Sequence, residues 1–424
     1  MVTGSNPRRT LGATSVLVAA LATVIAAAAA PAGAGQAAPP PPVTQLAADV
    51  QSPDSSVRRA ALRALAAGGS PEALGPLGIL VTDEDNGIQL GAIAAVLDIY
   101  VVPPSGRRAG SAEAAFFQAP YNATPWPAPA QLTTGLTKAL ADDWPAVRRD
   151  AVYALGVISP VPAGESVARE VHWSLSDLDP SARLAAARVL GRLRVAQAGL
   201  DLIGRVNDSV LDVRLASMRA LGDLRENQAV VALTEQFEFD LFNRGSAGRA
   251  SLDALGRIAH PSSRALFEAE TASGNSSHRR SAYEGLARLG GLSEAAPRIG
   301  AALATEGDRE VATAMAFALV AAGQPAFMEQ LIAALGNSRT STQALDYLIE
   351  LGPPHAATLA GYATHADPAV RRQVVTALGF IGGSEAEVVL GRANGDADEG
   401  VRRASQVALA RLRQREARAA SATQ

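Results

Sequence analysis

The stretch Asp367 to Gly382 reads D-P-A-V-R-R-Q-V-V-T-A-L-G-F-I-G and recurs in degraded form along most of the 424-residue chain. A chain made of copies of one supersecondary unit cannot close a core within each copy, so each unit must bury its apolar face against its neighbours. Asp367 suits an N-cap, because its carboxylate can accept orphan backbone N–H bonds of the helix that follows. Pro368 falls at the first helical position, where a missing N–H costs nothing. Counting from Val370, apolar or small residues fall at offsets 0, 4, 7, 8 and 11 (Val370, Val374, Ala377, Leu378, Ile381), one face of a helix. Gly382 suits a left-handed C-cap, and a second apolar-periodic stretch starts soon after it. The predicted unit is a helical hairpin whose second arm is the capped, arginine-marked helix.

With Val370 as anchor, equivalent positions are Val57, Ile88, Val147, Ala182, Val213, Ala247, His278, Val311, Thr340, Val370 and Val401, which makes eleven units. Ten of the eleven carry Leu eight residues after the anchor, with Val96 the exception. Eight have Asp or Asn three residues before it: Asp54, Asp85, Asp179, Asn275, Asp308, Asn337, Asp367 and Asp398. Seven have Arg one residue after it: Arg58, Arg148, Arg183, Arg214, Arg279, Arg371 and Arg402. Anchor spacings are 31, 59, 35, 31, 34, 31, 33, 29, 30 and 31, so one gap is nearly a double period. Two helices per thirty residues mean an all-α solenoid.

The D-x-x-V-R-x-x-A-x-x-A-L-G core resembles the HEAT repeat, and more closely its short bacterial form, the HEAT-like repeat named after phycobilisome lyases. The resemblance covers roughly Val43 to Arg413. It implies a right-handed superhelix of about eleven repeats with the second helices lining its concave side. It also implies a ladder of Asp and Arg between neighbouring units, carried by the Asp/Asn and Arg positions just named. Breaks are expected around Gly248, His278, Ala312 and Ser341.

Hydrophobic residues make up 48% of the chain and aromatics only 4%, so the core must be built from Ala, Leu and Val. Lys138 is the one lysine; every other basic residue is Arg, and the net charge of −3 does not suit a general nucleic-acid binder. Absence of cysteine excludes disulfides, cysteine-ligated zinc and thiol catalysis. The five histidines form no H-x-x-x-H pair, and no metal or other cofactor is expected.

Residues 1–34 read as an export signal: Arg8 and Arg9, then the apolar run Leu11 to Ala30, then small residues with cleavage after Ala34. An uncleaved anchor is the competing reading, since twenty apolar residues can span a bilayer. Both place the repeats in the periplasm or outside the cell. Residues 35–42 are a proline-rich linker, 43–413 the solenoid, and 414–424 a polar tail expected to fray. Residues 101–130 interrupt the repeats and concentrate six prolines with Phe116, Phe117, Tyr121 and Trp126. Two readings stay open: a flap packed on its own solenoid, or a contact for a partner.

On the second helices, offsets 2, 6 and 10 lie opposite the buried face. By the resemblance they look into the concavity. They include Arg149, Tyr153, Arg188, Arg192, Arg219, Asp223, Asp253, Arg257, Arg280, Glu284 and Arg288, with Arg249, Asp346, Glu350 and Phe380. One reading is solvated side chains paired at i, i+4, such as Arg219 with Asp223 and Asp253 with Arg257. The sharper one is a groove for an acidic or extended peptide of a partner protein, because Arg forks suit carboxylates. No catalytic constellation has supporting context; the acidic runs Asp83-Glu84-Asp85 and Asp142-Asp143 sit at inter-helix turns, where N-capping accounts for them. The expectation is a non-catalytic scaffold. A phycobilin-lyase-like enzyme and a nucleic-acid-binding HEAT-like protein are the alternatives.

Overall fold

A computed structural model describes residues 41–101, 109–160, 164–243 and 247–422. The expected export segment, most of the linker, and the start of the insert at 102–108 lie outside the described residues.

Eleven antiparallel helix pairs follow one another: α1 (Val43–Asp49) with α2 (Ser55–Gly68), α3 (Leu74–Leu80) with α4 (Asn86–Tyr100), then, after the insert helix α5 (Ala112–Asn122), α6 (Ala130–Ala139) with α7 (Pro145–Ile158). Next come α8 (Glu165–Trp173) with α9 (Pro180–Arg192), α10 (Gly199–Arg205) with α11 (Leu211–Leu224), α12 (Val230–Asn243) with α13 (Gly248–Ile258), and α14 (Arg264–Glu270) with α15 (Ser276–Leu289). The array ends with α16 (Ala296–Leu303) and α17 (Arg309–Ala321), α18 (Met328–Leu335) and α19 (Ser341–Leu351), α20 (Ala356–Gly361) and α21 (Pro368–Ile381), and α22 (Ser384–Ala393) and α23 (Glu399–Ala422). The pairs coincide with the eleven sequence units, and the fold is an all-α solenoid of two-helix repeats.

The local chemistry is as the repeat reads. Asp367 caps α21 by accepting from the Ala369 N–H at 2.8 Å, and Asp54, Asp85, Asp179, Asn275 and Asp308 cap their own helices likewise. The offset-8 leucines are buried from Leu65 to Leu378, each stabilising by roughly 2 kcal/mol. Gly382 has positive φ, 78°, but its ψ of −167° leaves the chain extended, not left-handed helical as expected; the αL cap occurs at Gly69. Neighbouring second helices approach closely through the A-L-G motif. A Cβ on Gly191 would fall 2.7 Å from Ala220 Cα, and one on Gly379 would fall 2.4 Å from Ala408 Cβ, so glycine of one unit seats alanine of the next.

The ladder differs from the expected one. Its arginines are as named, but its carboxylates are not the N-caps three residues before the anchor. They lie five before it: Arg58 binds Asp83, Arg148 binds Asp177, Arg183 binds Asp208, Arg279 binds Glu306 and Arg371 binds Asp396. In each, Nε and one terminal nitrogen grip the carboxylate at 2.7–3.1 Å, while the other terminal nitrogen caps carbonyls at the start of its own helix. The reason is directional: an N-cap carboxylate is already spent on its own helix, whereas the residue two earlier faces the preceding unit. Asp83 and Asp142 are therefore more than caps; Asp142 takes the amide of Gln89, which stands where other units have Arg. The ladder is intact at the His278 unit through Arg279. It is missing where both partners are absent together: Gly248 and Ser273, Ala312 and Leu335, Ser341 and His365.

Residues 414–422 of the expected tail continue α23 as helix through Ala422. No helix among the described residues is long and apolar enough to cross a membrane.

Candidate functional site: the concave channel

The insert docks on the concave face. It leaves the end of α4 and returns to it, with Val101 and Ala123 forming an antiparallel bridge and the Thr124 N–H donating to the Tyr100 carbonyl at 2.8 Å. Between them Ser111 caps α5, which lies against α4 and α7. Phe116 is buried beside Tyr153, ring centroids 5.3 Å apart, over Gly156, where a Cβ would come within 3.0 Å of the Phe116 ring. Pro120 removes the N–H that would bond the Phe116 carbonyl inside α5. Arg192 replaces it, donating to that carbonyl at 2.7 Å with its guanidinium 4.8 Å from the Phe116 ring. Burial pulls the Arg192 pKa down to about 10, which leaves it charged at neutral pH.

Arg188, one turn earlier on α9, donates to the Glu113 carboxylate and, at 2.7 Å, to the Tyr153 hydroxyl, and it covers the half-exposed Phe117 ring. Trp126 stays partly exposed at the channel wall, and the Tyr121 side chain lies outside the described residues. Arg149 pairs with its neighbour Asp150 at 2.7 Å. The expected groove residues Tyr153, Arg188 and Arg192 and the expected contact residues Phe116 and Phe117 are thus brought together, against each other.

Further along, the i, i+4 pairings give way to pairings between repeats. Asp223 takes Arg257 at 3.0 Å, while Arg219 stands off at 3.9 Å. Asp253 takes Arg280 at 3.0 Å instead of Arg257, and Arg280 also meets Glu310 at 3.1 Å and Glu284 at 3.5 Å. Burial pulls the Arg280 pKa down, but Asp253 and Glu284 outweigh it and hold it above the ordinary value. Arg288 grips Glu350 with two bonds of 2.8 and 3.0 Å and also meets Glu284 at 3.4 Å. The Tyr347 hydroxyl donates to Glu284 at 2.6 Å, and its pKa is raised well above the ordinary value, first by burial and then by Glu284. These last contacts join α15 to α19 across α17. They can do so because α17 offers Thr313 and Phe317 at the inward positions where other units carry charge; Phe317 stacks on Tyr347 at 4.3 Å.

At the far end α23 reaches the insert. Arg411 donates to the Pro120 carbonyl at 3.0 Å and lies 3.8 Å from the Phe380 ring centroid, and Gln414 donates to the Pro125 carbonyl at 3.4 Å. The second helices, insert and α23 enclose a channel of about 1250 Å³. Eleven arginines and six carboxylates line it. Part of that excess neutralises helix C-termini, as where Arg288 donates to the Gly256 carbonyl and Arg415 to the Phe380 carbonyl. Arg219 and Arg249 do neither: their side chains are 66% and 55% exposed, each 3.9 Å from its nearest acid. Among the described residues no group of three or more His, Cys, Asp or Glu could hold a metal ion.

The family model for HEAT repeats matches residues 326–410, which hold α18 to α21 and most of the last pair. No curated protein matches the chain. Among solved structures it is similar to an engineered protein, at 19% identity and a TM-score of 0.36, covering 88% of this chain and 98% of that one. It is also similar to the complex of CpcE and CpcF of phycocyanin lyase from Nostoc sp. PCC7120, at 19% identity and a TM-score of 0.37, covering 61% of this chain and 92% of that one.

The repeat offsets locate most of the channel, but they miss Arg194 and Arg225, which also line it. Both stand twelve residues after the anchor, where five other units have glycine, and both adopt positive φ of 52° and 54°. An arginine in the glycine place of the repeat's helix end was the available signal.

Proposed function

We propose that this chain is an exported, non-catalytic scaffold of the bacterial cell envelope whose channel binds an extended acidic segment of a partner protein. HEAT repeats typically mediate protein interactions. The observation that carries the reading is the channel's lining of eleven arginines against six carboxylates in a chain of net charge −3. Cationic side chains concentrated in a concave, partly desolvated space attract carboxylates more strongly than the same charges spread over a surface. Export rests on the apolar run and small-residue site within residues 1–34.

The test is crosslinked capture from the native envelope with the full chain and with Arg219→Glu/Arg249→Glu, whose exposed side chains can be reversed without breaking the buried network. A stoichiometric acidic partner, lost on charge reversal and restored by lysine at both positions, is the expected result. A partner that survives reversal moves binding off the channel. The N-terminus of the chain recovered from cell fractions tests export: a start after residue 34 outside the cytoplasm is expected.

A further inference from the structure

Concave faces of a solenoid are usually lined by side chains that meet solvent or one another, but on α7 and α9 this chain's own insert occupies the face. The contacts it makes there divide by chemistry. Arg188, which also donates to the Tyr153 hydroxyl, forms a carboxylate reader occupied by Glu113. Three residues on, Phe116 fills an aromatic seat made by the Tyr153 ring, the bare backbone at Gly156 and the Arg192 guanidinium. Arg192 also holds a main-chain carbonyl that Pro120 has freed, a contact requiring a segment with an unsatisfied carbonyl and no side-chain identity. Carboxylate, aromatic and free carbonyl in fixed order are the elements of peptide recognition.

In this seat the insert relies on one ring; its further anchors, Arg411 and Gln414 of α23, grip main-chain carbonyls at Pro120 and Pro125. Among the described residues of the insert Phe116 is the one deeply buried aromatic ring; the other buried positions described in α5 are Ala112, Ala115 and Ala119. Phe117 is left 53% exposed. A peptide carrying the same elements can therefore compete.

We infer that the α7–α9 face is a binding site for a partner segment with the pattern Glu-x-x-Phe, and that the insert is its resident, displaceable occupant. The inference rests on the scaffold reading and deepens it by assigning a sequence pattern that one wall of the channel reads. The insert acts as a tethered competitor, raising the threshold a partner must reach in proportion to its effective concentration, on the order of millimolar for short tethers.

The probe is a fluorescein-labelled peptide with the sequence of residues 111–122, S-A-E-A-A-F-F-Q-A-P-Y-N, followed by anisotropy on the full chain. Glu113→Ala/Phe116→Ala releases the insert while leaving Arg188, Arg192 and Tyr153 in place. That variant is expected to bind the peptide roughly ten- to a hundredfold more tightly than the natural chain, the range a tethered competitor imposes. Adding Arg188→Glu, or replacing the peptide's Glu by Gln, removes the gain. Equal binding by natural and released chains, with far-UV circular dichroism showing both folded, overturns the inference and makes the insert a permanent flap. Should the released variant not fold, hydrogen exchange on the natural chain decides. Saturating peptide must speed exchange across residues 112–122 and leave α7 protected; unchanged exchange there is equally fatal. Capture through Arg219 and Arg249 does not involve this face, so either reading can fail while the other stands.

Discussion

Repeats three and four are fastened along their turn edge, and repeats six to nine mostly through their interior. In the first region Arg148 and Arg183 reach across to Asp177 and Asp208, whose side chains are 10% and 1% exposed. In the second, the edge partners Gly248 and Ser273, then Ala312 and Leu335, leave no ladder to build, and the charges reappear on the concave face. Asp253–Arg280 joins α13 to α15, Glu310–Arg339 ties α17 to the turn before α19, and Arg288–Glu350 spans α15 to α19. The contrast shows how one fold divides its arginines. Where the edge ladder holds the seam, the inward arginines Arg188 and Arg192 are released to hold the insert. Where it is lacking, inward arginines become structural.

The largest effect is expected at the edge. Arg183→Ala leaves Asp208 without its fork, with only the Val210 N–H at 3.0 Å and the more distant Arg205 at 3.6 Å to set against burial. The cost should be about 2–3 kcal/mol in urea unfolding, the lower part of the range for breaking a buried pair because Arg183 itself borders solvent. Arg214 occupies the same register, but the next repeat has Phe242 in the rung position, and Arg214 donates to the Asp208 carbonyl at 2.9 Å. Arg214→Ala should cost below about 1 kcal/mol. Equal losses would mean that the arginine's packing and carbonyl bonds, not the carboxylate, fasten the edge.

The next effect depends on pH. Burial raises the Asp208 carboxyl, but hydrogen bonds from Arg183 and the Val210 N–H outweigh it and hold its pKa below 3.8; Asp177, Glu306 and Asp396 are likewise held below their ordinary values. A carboxyl depressed in the folded state binds protons first in the unfolded chain as pH falls. Its stabilisation is complete above the unfolded value and is lost as pH falls from there through the folded value. Urea midpoints should therefore drop steeply below about pH 4.5, and less steeply in Asp208→Asn, which has already lost one such group. An unchanged acid slope in that variant would remove Asp208 from the account.

Much of this organisation was legible beforehand, for reasons that mark where legibility ends. Capping and burial are local: Asp367, Pro368 and the offset-8 leucines depend on their own helix, and the chain restates the leucine in ten units and the Asp or Asn in eight. The concave offsets followed from helix geometry once the family resemblance supplied which side faces inward. Pairing is not local. Asp177 and Asp179 lie in the same turn, and only the neighbouring repeat decides that the first is a rung and the second a cap. For the same reason Asp253 could be placed on the concave face but not assigned to Arg280. The insert's aromatics marked it as able to dock. The docking place depends on Gly156 and on the carbonyl freed by Pro120, which become meaningful only when α5 and α9 are side by side.

Within the interior network the Arg288–Glu350 pair is the one to cut. It spans two repeats with a bidentate grip, and Arg288 is 10% exposed while Glu350 is 28%. A double-mutant cycle of Arg288→Ala and Glu350→Gln should give a coupling of about 1 kcal/mol at low salt, smaller at high salt. A coupling indistinguishable from zero would show that α15 and α19 are held by Phe317 and Tyr347 stacking, with the charges incidental.

The smallest effect on stability is expected where the effect on binding should be greatest. Arg219 and Arg249 keep long, exposed pairs with Asp223 and Asp253, and those acids have closer partners in Arg257 and Arg280. Pairs of that kind contribute little, so Arg219→Glu and Arg249→Glu should each shift unfolding by no more than about 0.5 kcal/mol. If either reversal instead costs as much as Arg183→Ala, these arginines belong to the interior fastening after all. The channel would then hold no cations spare from its own architecture, and the distinction between a released and a structural arginine would have to be redrawn around Arg188 and Arg192 alone.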